Sequence, residues 1–355
     1  PRGTTREEGW SPALRQTPQS GATPPFLLPK SVENGGLAVN NLLRLIGRRL
    51  LALPIMVVGV SFLVFFIMSL SPIDPAYSAL GETATPEALE EYRVQHGLND
   101  PFFVQYGHYL WNMLHGDLGT YGVGTSNHVS DLVAQALPVT LQLTFLGLLS
   151  AVLLSFPLGV LAALYRDRWP DQVIRVISVI GIGTPSFWLA ALLVLGFVGT
   201  LPVSGPLPAL TEDPGGWFLR MLLPSIALAV PVVGQMTRVV RTSMVEELDR
   251  DYVRTAIGGG IPKRVVVARN VLRNALITPV TVLGLRIGYL MGGAVVIEII
   301  FSIDGMGKAV LLKGIQENWV TLVQGGALVV AIAFIVVNII VDMLYLLINP
   351  RIRSV

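Results

Sequence analysis

The sequence predicts an all-α polytopic membrane protein with six transmembrane helices. Three observations lead to this prediction: 52% of the residues are hydrophobic, only 14% are charged, and the apolar residues fall into long runs with few or no charges. Soluble domains carry roughly 25% charged residues, and a run of about 20 apolar residues spans the hydrocarbon core as a helix. The runs are Leu50–Leu70, Pro138–Leu164, Val173–Leu201, Leu222–Val240, Ala275–Phe301 and Leu322–Ile348.

Positive charge is distributed unevenly between the connections of these runs. Alternate connections hold sixteen Lys and Arg residues on one side and four on the other. Cytoplasmic connections of membrane proteins carry the excess of Lys and Arg, so the first set is predicted to be cytoplasmic, and both termini with it. The four on the opposite side are Arg93, Arg220, Lys308 and Lys313. The formal net charge of +2 indicates no particular partner, and no nucleic acid is expected.

Residues 1–36 contain six prolines and no apolar periodicity. Such a segment cannot bury enough apolar surface to offset its ordering entropy, so it is predicted to be a disordered cytoplasmic tail. Residues 37–70 are predicted to hold the first transmembrane helix, starting near Asn41 and serving as an uncleaved signal anchor. Pro72 and Pro75 should end this helix near the outer surface.

Residues 71–137 are predicted to form a small external subdomain on the periplasmic side. The segment has eight acidic residues and Arg93 as its single Lys or Arg. Thr85 followed by Pro86 is typical of a helix start, with threonine as the N-cap and proline at the first helical position. The aromatic-rich stretch Pro101–Leu114 indicates an amphipathic helix near the membrane interface. Such a subdomain offers a landing surface for an external partner.

Residues 138–355 are predicted to form a core of five further helices. The second to fourth helices contain prolines, and proline in a membrane helix frees backbone carbonyls and introduces kinks. For each proline, packing geometry and a flexing gate remain open alternatives. They are Pro157, Pro185, Pro224 and Pro231.

The longest cytoplasmic connection, residues 241–274, is predicted to contain two short helices around a break. Glu246–Ile257 is polar and helix-forming, and the three glycines from Gly258 to Gly260 should terminate it. Pro262 then suits the first turn of a second helix, Lys263–Asn274. A helix–turn–helix of this kind would present one compact knob to the cytoplasm, whereas an ordinary basic loop would not need this pattern.

Several stretches closely resemble the permeases of peptide-importing ABC transporters, the dipeptide, oligopeptide and nickel group. They include "RTSMVEELDRDYVRTA", "ARNVLRNALITPVTVLGL", "YGHYLWNMLHGDLG", "IGTPSFWLA" and "EIIFSIDGMG", and the similarity extends from about Asn41 to Arg353. The resemblance implies a type I ABC importer permease fold. It also implies that loop 241–274 is the family's EAA loop, whose coupling helix enters a cleft of a cytoplasmic ATPase subunit.

Matched position by position, Arg254-Thr255-Ala256 stand where the motif has Glu-Ala-Ala, and Gly260 is the motif glycine. The chain departs from most relatives at Gly258 and Gly259, where a basic or polar residue is usual, and this suggests a looser turn. The coupling residues that the resemblance implies are Glu247, Asp251, Tyr252, Arg254, Thr255, Ala256 and Gly260.

The same resemblance implies the partners and the location of the chain. The partners are a second homologous permease, two ATPase subunits or one fused ATPase, an extracytoplasmic peptide-binding protein and the lipid bilayer. No cofactor is expected on this chain, because ATP and Mg would be bound by the ATPase subunits. The location implied is the bacterial cytoplasmic (inner) membrane, with multiple passes and both termini cytoplasmic.

Three of the charged residues within the predicted membrane helices are considered for a role in transport or in structure. An arginine inside a bilayer helix is costly and faces a cavity or a partner. Arg286 is therefore a candidate for the translocation pathway, with a structural ion pair as the alternative. Glu298, near the outer end of the same helix, and Asp342, near the inner end of the last one, are expected to have interfacial structural roles.

No enzyme chemistry is predicted for this chain. There is no phosphate-binding G-x-x-x-x-G-K-[ST] sequence, and no cysteine that could act as a nucleophile or thiolate ligand. A metal site at the four histidines of the external segment would need close pairs at helical spacing, which are absent. They are His96, His108, His115 and His128.

We predict the transmembrane subunit of an ATP-driven importer of dipeptides or oligopeptides. Within the same family, nickel chelates and haem remain alternative substrates. An ion-coupled secondary transporter is the alternative from another class, and it predicts intramembrane acidic residues and internal symmetry, which are not evident. A membrane-embedded enzyme using the external histidines is a third.

Overall fold

The computed structural model describes residues 34–81, 83–123 and 127–348. Most of the predicted tail, the end of the chain with Arg351 and Arg353, and the side chain of Asp342 lie outside the described part. The helices and strands are α1 Asn34–Ser69, α2 Pro75–Leu80, α3 Pro86–Gln95, α4 Phe102–Leu114, β1 Thr120–Tyr121, β2 Asn127–His128, α5 Val129–Leu164, α6 Trp169–Gly183, α7 Ser186–Phe197, α8 Pro214–Leu248, α9 Asp251–Gly258, α10 Lys263–Val266, α11 Leu272–Ala275, α12 Ile277–Phe301, α13 Lys313–Gln316 and α14 Val320–Ile348.

The all-α membrane class predicted from the sequence is confirmed. Five helices of the described chain are long and apolar enough to cross a membrane: the Leu51–Ser69 part of α1, α5, α8, α12 and the Val320–Val341 part of α14. A sixth span is formed if α6 and α7 are counted together, although they are bent by 101° at their junction. The only strands among the described residues are the two-stranded antiparallel pair, β1 and β2.

The prediction of a single helix over Val173–Leu201 is wrong. The chain breaks between α6 and α7, where Thr184 is extended with φ −89° and ψ 115°. Pro185 disfavours the helical conformation for the residue before it and has no N–H to donate, so the helix ends at Gly183 and a new one begins at Ser186. The chain is therefore sharply bent at this proline, and the choice between packing geometry and a flexing gate stays a prediction.

Other helix bounds extend beyond the apolar runs that predicted them. α1 begins at Asn34, so residues 34–36 belong to the helix and not to the tail. α5 begins at Val129, with Pro138 in its interior. α8 runs from Pro214 to Leu248, where the Asp213 carboxylate caps its start by accepting from the N–H of Gly216 at 2.8 Å. Apolar runs mark the width of the hydrocarbon core, whereas helices continue into water wherever their ends are capped.

The external segment packs against the outer end of α1. Thr85 caps α3 as predicted, accepting from the N–H of Ala88, and Asp74 pairs with Arg93 to join α2 to α3. The aromatic helix α4 lies against α1 through edge and tilted ring contacts, including Phe62 with Tyr106 at 5.3 Å between centroids.

The helical core centres on α5, α8 and α12. Its fully buried side chains include Leu143 of α5, Met236 of α8 and Phe301 of α12. Glycines allow the helices to approach closely: a Cβ added at Gly234 would lie 2.5 Å from the carbonyl oxygen of Ser178 in α6. This places α8 against α5, α6 and α12 and positions its inner end for the cytoplasmic loop.

Candidate functional site: the cytoplasmic loop

The predicted helix Glu246–Ile257 is divided in two in the structure. α8 continues to Leu248 and ends at Asp249, whose N–H donates to the carbonyl of Val245. Arg250 then adopts an extended conformation, φ −68° and ψ 145°, and begins α9 at Asp251. The prediction missed this break because the sequence contains no proline or glycine there. α9 is therefore a separate helix of eight residues.

The glycine break after α9 is a well-formed helix terminus. The N–H of Gly260 donates to the carbonyl of Ile257 at 3.0 Å, and the N–H of Ile261 to that of Ala256 at 3.2 Å. This is the pattern of a Schellman cap. Gly260 has φ +84°, in the left-handed region, while Gly259 has φ −75° and Gly258 lies inside α9. Of the three glycines, only Gly260 is required by its conformation.

The second predicted helix of the loop is present as a continuous helical segment from Lys263 to Ala275. Pro262 precedes it at the N-cap position, and the residues Val267–Val271 form a π-helical segment between α10 and α11. After the π segment, α11 leads to the start of α12 at Ile277.

α9 has one anchored face and one exposed face. Val253 is 4% exposed and packs with Val240, Met244, Val266 and Val271 in a cluster that joins α8, α9 and the π segment. Tyr252 and Ala256 are half-buried against the same cluster. The exposed face presents Asp251, Arg254, Thr255 and Gly258. The helix is thus held from one side and free to contact a partner with the other.

A polar contact closes the loop onto α8. The hydroxyl of Tyr252 donates to Oε1 of Glu247 at 2.8 Å, and the amide of Asn274 donates to the same oxygen at 3.2 Å. Burial of the phenol and its hydrogen bond to Glu247 raise the pKa of Tyr252, so the hydroxyl stays protonated at neutral pH and can donate. Glu247 therefore ties α9 and the end of α11 to α8. Asn274 was not singled out in the sequence, since nothing near it indicates that it meets a residue 27 positions away.

The seven predicted coupling residues thus fall into two groups. Glu247, Tyr252 and Ala256 face inward and hold α9 against its neighbours, while the others are exposed at the surface of the loop. The exposed members are Asp251, Arg254, Thr255 and Gly260.

Along the inner half of α8 lies an open polar groove of about 400 Å³. The exposed residues Arg238, Thr242 and Glu246 follow one another at four-residue spacing, so they share one face of the helix. Gln235 and Ser243 line the same groove, together with Thr278 of α12. Neither Arg238 nor Glu246 has an ion pair among the residues that the structure describes.

Arg286 lies in α12, nine residues from its first residue, or about 14 Å along the axis. Its Nε is buried and has no hydrogen-bond partner within residues 34–81, 83–123 and 127–348. Its neighbour Leu285 and the residue one turn on, Tyr289, are 73% and 50% exposed. The structural ion pair considered as an alternative for Arg286 is absent from this part of the chain.

Two charged residues at the outer ends of the helices are fully enclosed. Arg220 of α8 is 2% exposed and donates to the carbonyls of Val203 at 3.0 Å, Gly205 at 3.2 Å and Phe301. Glu298 is 0% exposed and accepts from the N–H of Gly307 at 2.7 Å. Glu298 was expected at an interface, and the structure instead buries it under the turn that follows α12.

Two histidines of the segment 71–137, His96 and His108, line one pocket together with Asp117. His96 stacks on Tyr92 with ring centroids 3.8 Å apart, and His115 lies beside Trp111. Within the described ranges, no three His, Cys, Asp or Glu residues lie close enough to hold a metal ion.

Comparison with known proteins adds to this geometry. A family described as "Binding-protein-dependent transport system inner membrane component" matches residues 155–354, and its N-terminal counterpart matches residues 42–144. A putative peptide transport system permease protein of Brucella abortus (strain 2308) is 39% identical over 305 residues, which cover 85% of this chain and 96% of that protein.

Two enterobacterial proteins are similar over the same extent. The probable D,D-dipeptide transport system permease protein of Escherichia coli (strain K12) is 38% identical, covering 86% of this chain and 96% of the relative. The glutathione transport system permease protein of Escherichia coli O6:H1 is also 38% identical, covering 86% and 97%.

Proposed function

This chain belongs to the inner membrane components of binding-protein-dependent transport systems, and on that premise we propose how it serves a peptide importer. It is the permease, a multi-pass inner-membrane subunit of a peptide-importing ABC transporter. Proteins of this kind work with an ATPase and a substrate-binding protein and are not themselves catalytic. The assignment of single residues to these tasks is our proposal.

The observation that supports an ATPase-docking role for the loop is that α9 has one buried face and one exposed face. Its inner face is seated by Val253, Ala256 and the Tyr252–Glu247 hydrogen bond. Its outer face carries Asp251, Arg254 and Thr255 into solvent. Such a helix transmits a push on its outer face to α8 and α11, because its inner contacts do not allow it to move alone.

ATP and Mg are proposed to bind on separate ATPase subunits, two in number or fused into one. The absence of a phosphate-binding loop in this sequence supports that division. ATP-driven closure of the ATPases would then shift α9 and switch the permease between inward-facing and outward-facing forms. The permease itself would carry the movement of α9 to the membrane helices and would take no part in ATP hydrolysis.

The translocation path is proposed to run between this chain and a second homologous permease. Polar groups in a bilayer face a cavity or a partner, and the groove along Arg238, Thr242 and Glu246 would form the inner mouth of this path. Arg286, whose Nε has no hydrogen-bond partner in the described part of the chain, would line the path farther out. The excess of Lys and Arg on the loop side supports cytoplasmic termini, with the external segment 71–137 as the landing surface for the binding protein.

Short peptides are the proposed cargo, because the named relatives carry peptides, D,D-dipeptides and glutathione. Nickel chelates and haem remain the alternatives within the family. Reconstitution of this chain with its partner permease, ATPases and binding protein should give peptide uptake that requires ATP. Uptake by this chain alone on an ion gradient would overturn the proposal in favour of a secondary transporter.

The docking assignment is tested by adding charge to the exposed face of α9. Thr255→Glu should lower copurification of the ATPase subunits by about tenfold, equivalent to a loss of roughly 1.4 kcal/mol at an interface. The matched control, Thr211→Glu, adds the same charge at an exposed position of the loop before α8. If both variants recover equal amounts of the ATPase subunits, the proposal that α9 contacts the ATPase is refuted.

A further inference from the structure

Asp171, at the start of α6, is a buried carboxylate that joins two helices. Its side chain is 0% exposed. Oδ1 accepts from Nε of Arg241 in α8 at 2.6 Å, and Oδ2 accepts from Nη2 of the same arginine at 2.6 Å. The two parallel bonds form a bidentate pair, the strongest geometry available to these groups.

The same carboxylate also organises the turn between α5 and α6. Oδ2 accepts from Nη2 of Arg175 at 2.9 Å and from the N–H of Asp167 at 3.0 Å. Asp167 has φ +62°, an uncommon conformation for a non-glycine residue, and this hydrogen bond helps to hold it there. Asp171 therefore fixes the start of α6, the turn before it and the inner end of α8 through one side chain.

A second contact between α6 and α8 lies farther into the membrane. An added Cβ at Gly234 of α8 would lie 2.5 Å from the carbonyl oxygen of Ser178, and one at Gly181 of α6 would lie 3.3 Å from that of Val230. The two backbones are in direct contact there. With the Asp171–Arg241 pair at one end and this contact in the middle, α6 has little freedom to slide or rotate along α8.

We propose that the Asp171–Arg241 pair is a transmission joint, which makes α6 and the bent span α6–α7 move with α8 when ATPase subunits displace α9. This inference rests on the docking role proposed above for α9. Arg241 lies seven residues before the last residue of α8, and α9 follows after only Asp249 and Arg250. A displacement of α9 thus reaches α8 through the two-residue break and the Tyr252–Glu247 hydrogen bond, and continues along α8 to Arg241, whose pair with Asp171 passes it to α6.

The ion pair is a costly way to hold two helices together, since apolar residues of similar volume often stabilise as well or better. A bidentate pair allows only one register and one orientation of α6 relative to α8, however, because both hydrogen bonds are lost when the helices slide or rotate. This property suits a contact that must make the two helices move together.

The test separates transmission from stability by removing both charges together. Asp171→Asn alone leaves Arg241 unpaired and can misfold, but the double variant Asp171→Asn with Arg241→Gln leaves no unpaired buried charge. We expect this double variant to assemble with its ATPases while transport per ATP hydrolysed falls by fivefold or more, within the usual range of coupling between sites. The matched control is Arg166→Gln, which removes the exposed Arg166–Asp249 pair at the same membrane face.

A double variant that assembles and transports as many peptides per ATP as the wild type overturns the inference. A conservative variant, Arg241→Lys, keeps the charge but cannot form both bonds, and an unchanged transport ratio there also counts against it. Failure of the wild-type complex to couple ATP to uptake would instead refute the proposed function, so the two failures are distinguishable.

A direct measurement on the wild type does not depend on these variants. Because the chain has no cysteine, cysteines at the exposed positions Arg168, the N-cap of α6, and Glu246, in the last turn of α8, give the only two spin-labelling sites on this subunit. The distance between the labels should stay constant when ATP closes the complex and should change in the double variant. An ATP-dependent change in the wild type shows that α6 does not follow α8 and ends the proposal.

Discussion

The hydroxyl of Tyr252 in α9 donates to Oε1 of Glu247 in α8 at 2.8 Å, across a two-residue break between the helices. The amide of Asn274 approaches the same oxygen from α11. One carboxylate therefore closes the loop between α8 and α12 at both ends. Helix α9 is held by a polar contact as well as by the apolar cluster around Val253.

Tyr252→Phe should loosen α9 without changing its packed ring. A hydrogen bond to a charged group contributes about 1 kcal/mol or more, which corresponds to roughly fivefold faster amide exchange where opening is local. Hydrogen–deuterium exchange of residues 251–258 measures the effect. Tyr77→Phe, at an exposed external tyrosine, is the control, and equal protection in wild type and Tyr252→Phe would contradict the closing role of Glu247.

Gly258 and Gly260 should respond in opposite ways to alanine. Gly258 lies in α9, and a Cβ there meets nothing within 4 Å, so Gly258→Ala should stabilise the helix by about 0.5–1 kcal/mol. Gly260→Ala must adopt φ +84° and should cost about 1–2 kcal/mol. Exchange rates of the α9 amides report both changes. Similar effects of the two substitutions would refute the assignment of the cap to Gly260.

Arg220→Gln should destabilise the outer end of the helical core. The guanidinium is nearly fully buried and donates to carbonyls of the α7–α8 loop and of the end of α12. A shorter amide cannot reach these acceptors, and the loss should be about 3 kcal/mol, within the range for breaking a buried charged network. Thermal unfolding in detergent measures it, with the exposed Arg238→Gln as control. If Arg220→Gln and Arg238→Gln unfold at the same temperature, the hydrogen bonds of Arg220 do not stabilise the fold.

Gly234→Ala should disturb the contact between α8 and α6. The new methyl would lie 2.5 Å from a backbone carbonyl, which cannot rotate away as a side chain can. The expected destabilisation is about 1–3 kcal/mol, as for an overpacked core. Gly183→Ala is the matched control, because it lies in α6 with nothing within 4 Å of its added Cβ. Thermal unfolding of the two variants should therefore separate clearly, and equal midpoints would mean that the helices are not packed this closely.

The features that the sequence predicted well are those carried by neighbouring residues. Apolar runs, the Thr85 cap and the Gly260 break each depend on a few consecutive positions, and each is present in the structure. Helix ends were predicted less well. α5 and α8 continue past their apolar runs because capping and packing decide where a helix stops, not hydropathy alone.

The break between α8 and α9 and the orientation of α9 could not be predicted in this way. No glycine or proline marks Asp249 or Arg250, and the residues of α9 show no obvious sign that Ala256 is seated while Thr255 is exposed. Which face is anchored depends on Val240, Val266 and the other members of a cluster contributed by separate helices.

The sequence by itself determined a membrane protein made of helices and the position of the basic loop between α8 and α12, because these follow from local composition and spacing; the side of the membrane on which that loop lies stays a prediction. Pro185 itself accounts for the break between α6 and α7, whereas tertiary structure decided the 101° angle of the bend and the burial of Arg220 and Glu298. It also paired Asp171 with Arg241, 70 residues apart, and brought Arg220 to Phe301, 81 residues apart. Partners at such separations are chosen by how whole helices pack, and no short stretch of sequence records that choice.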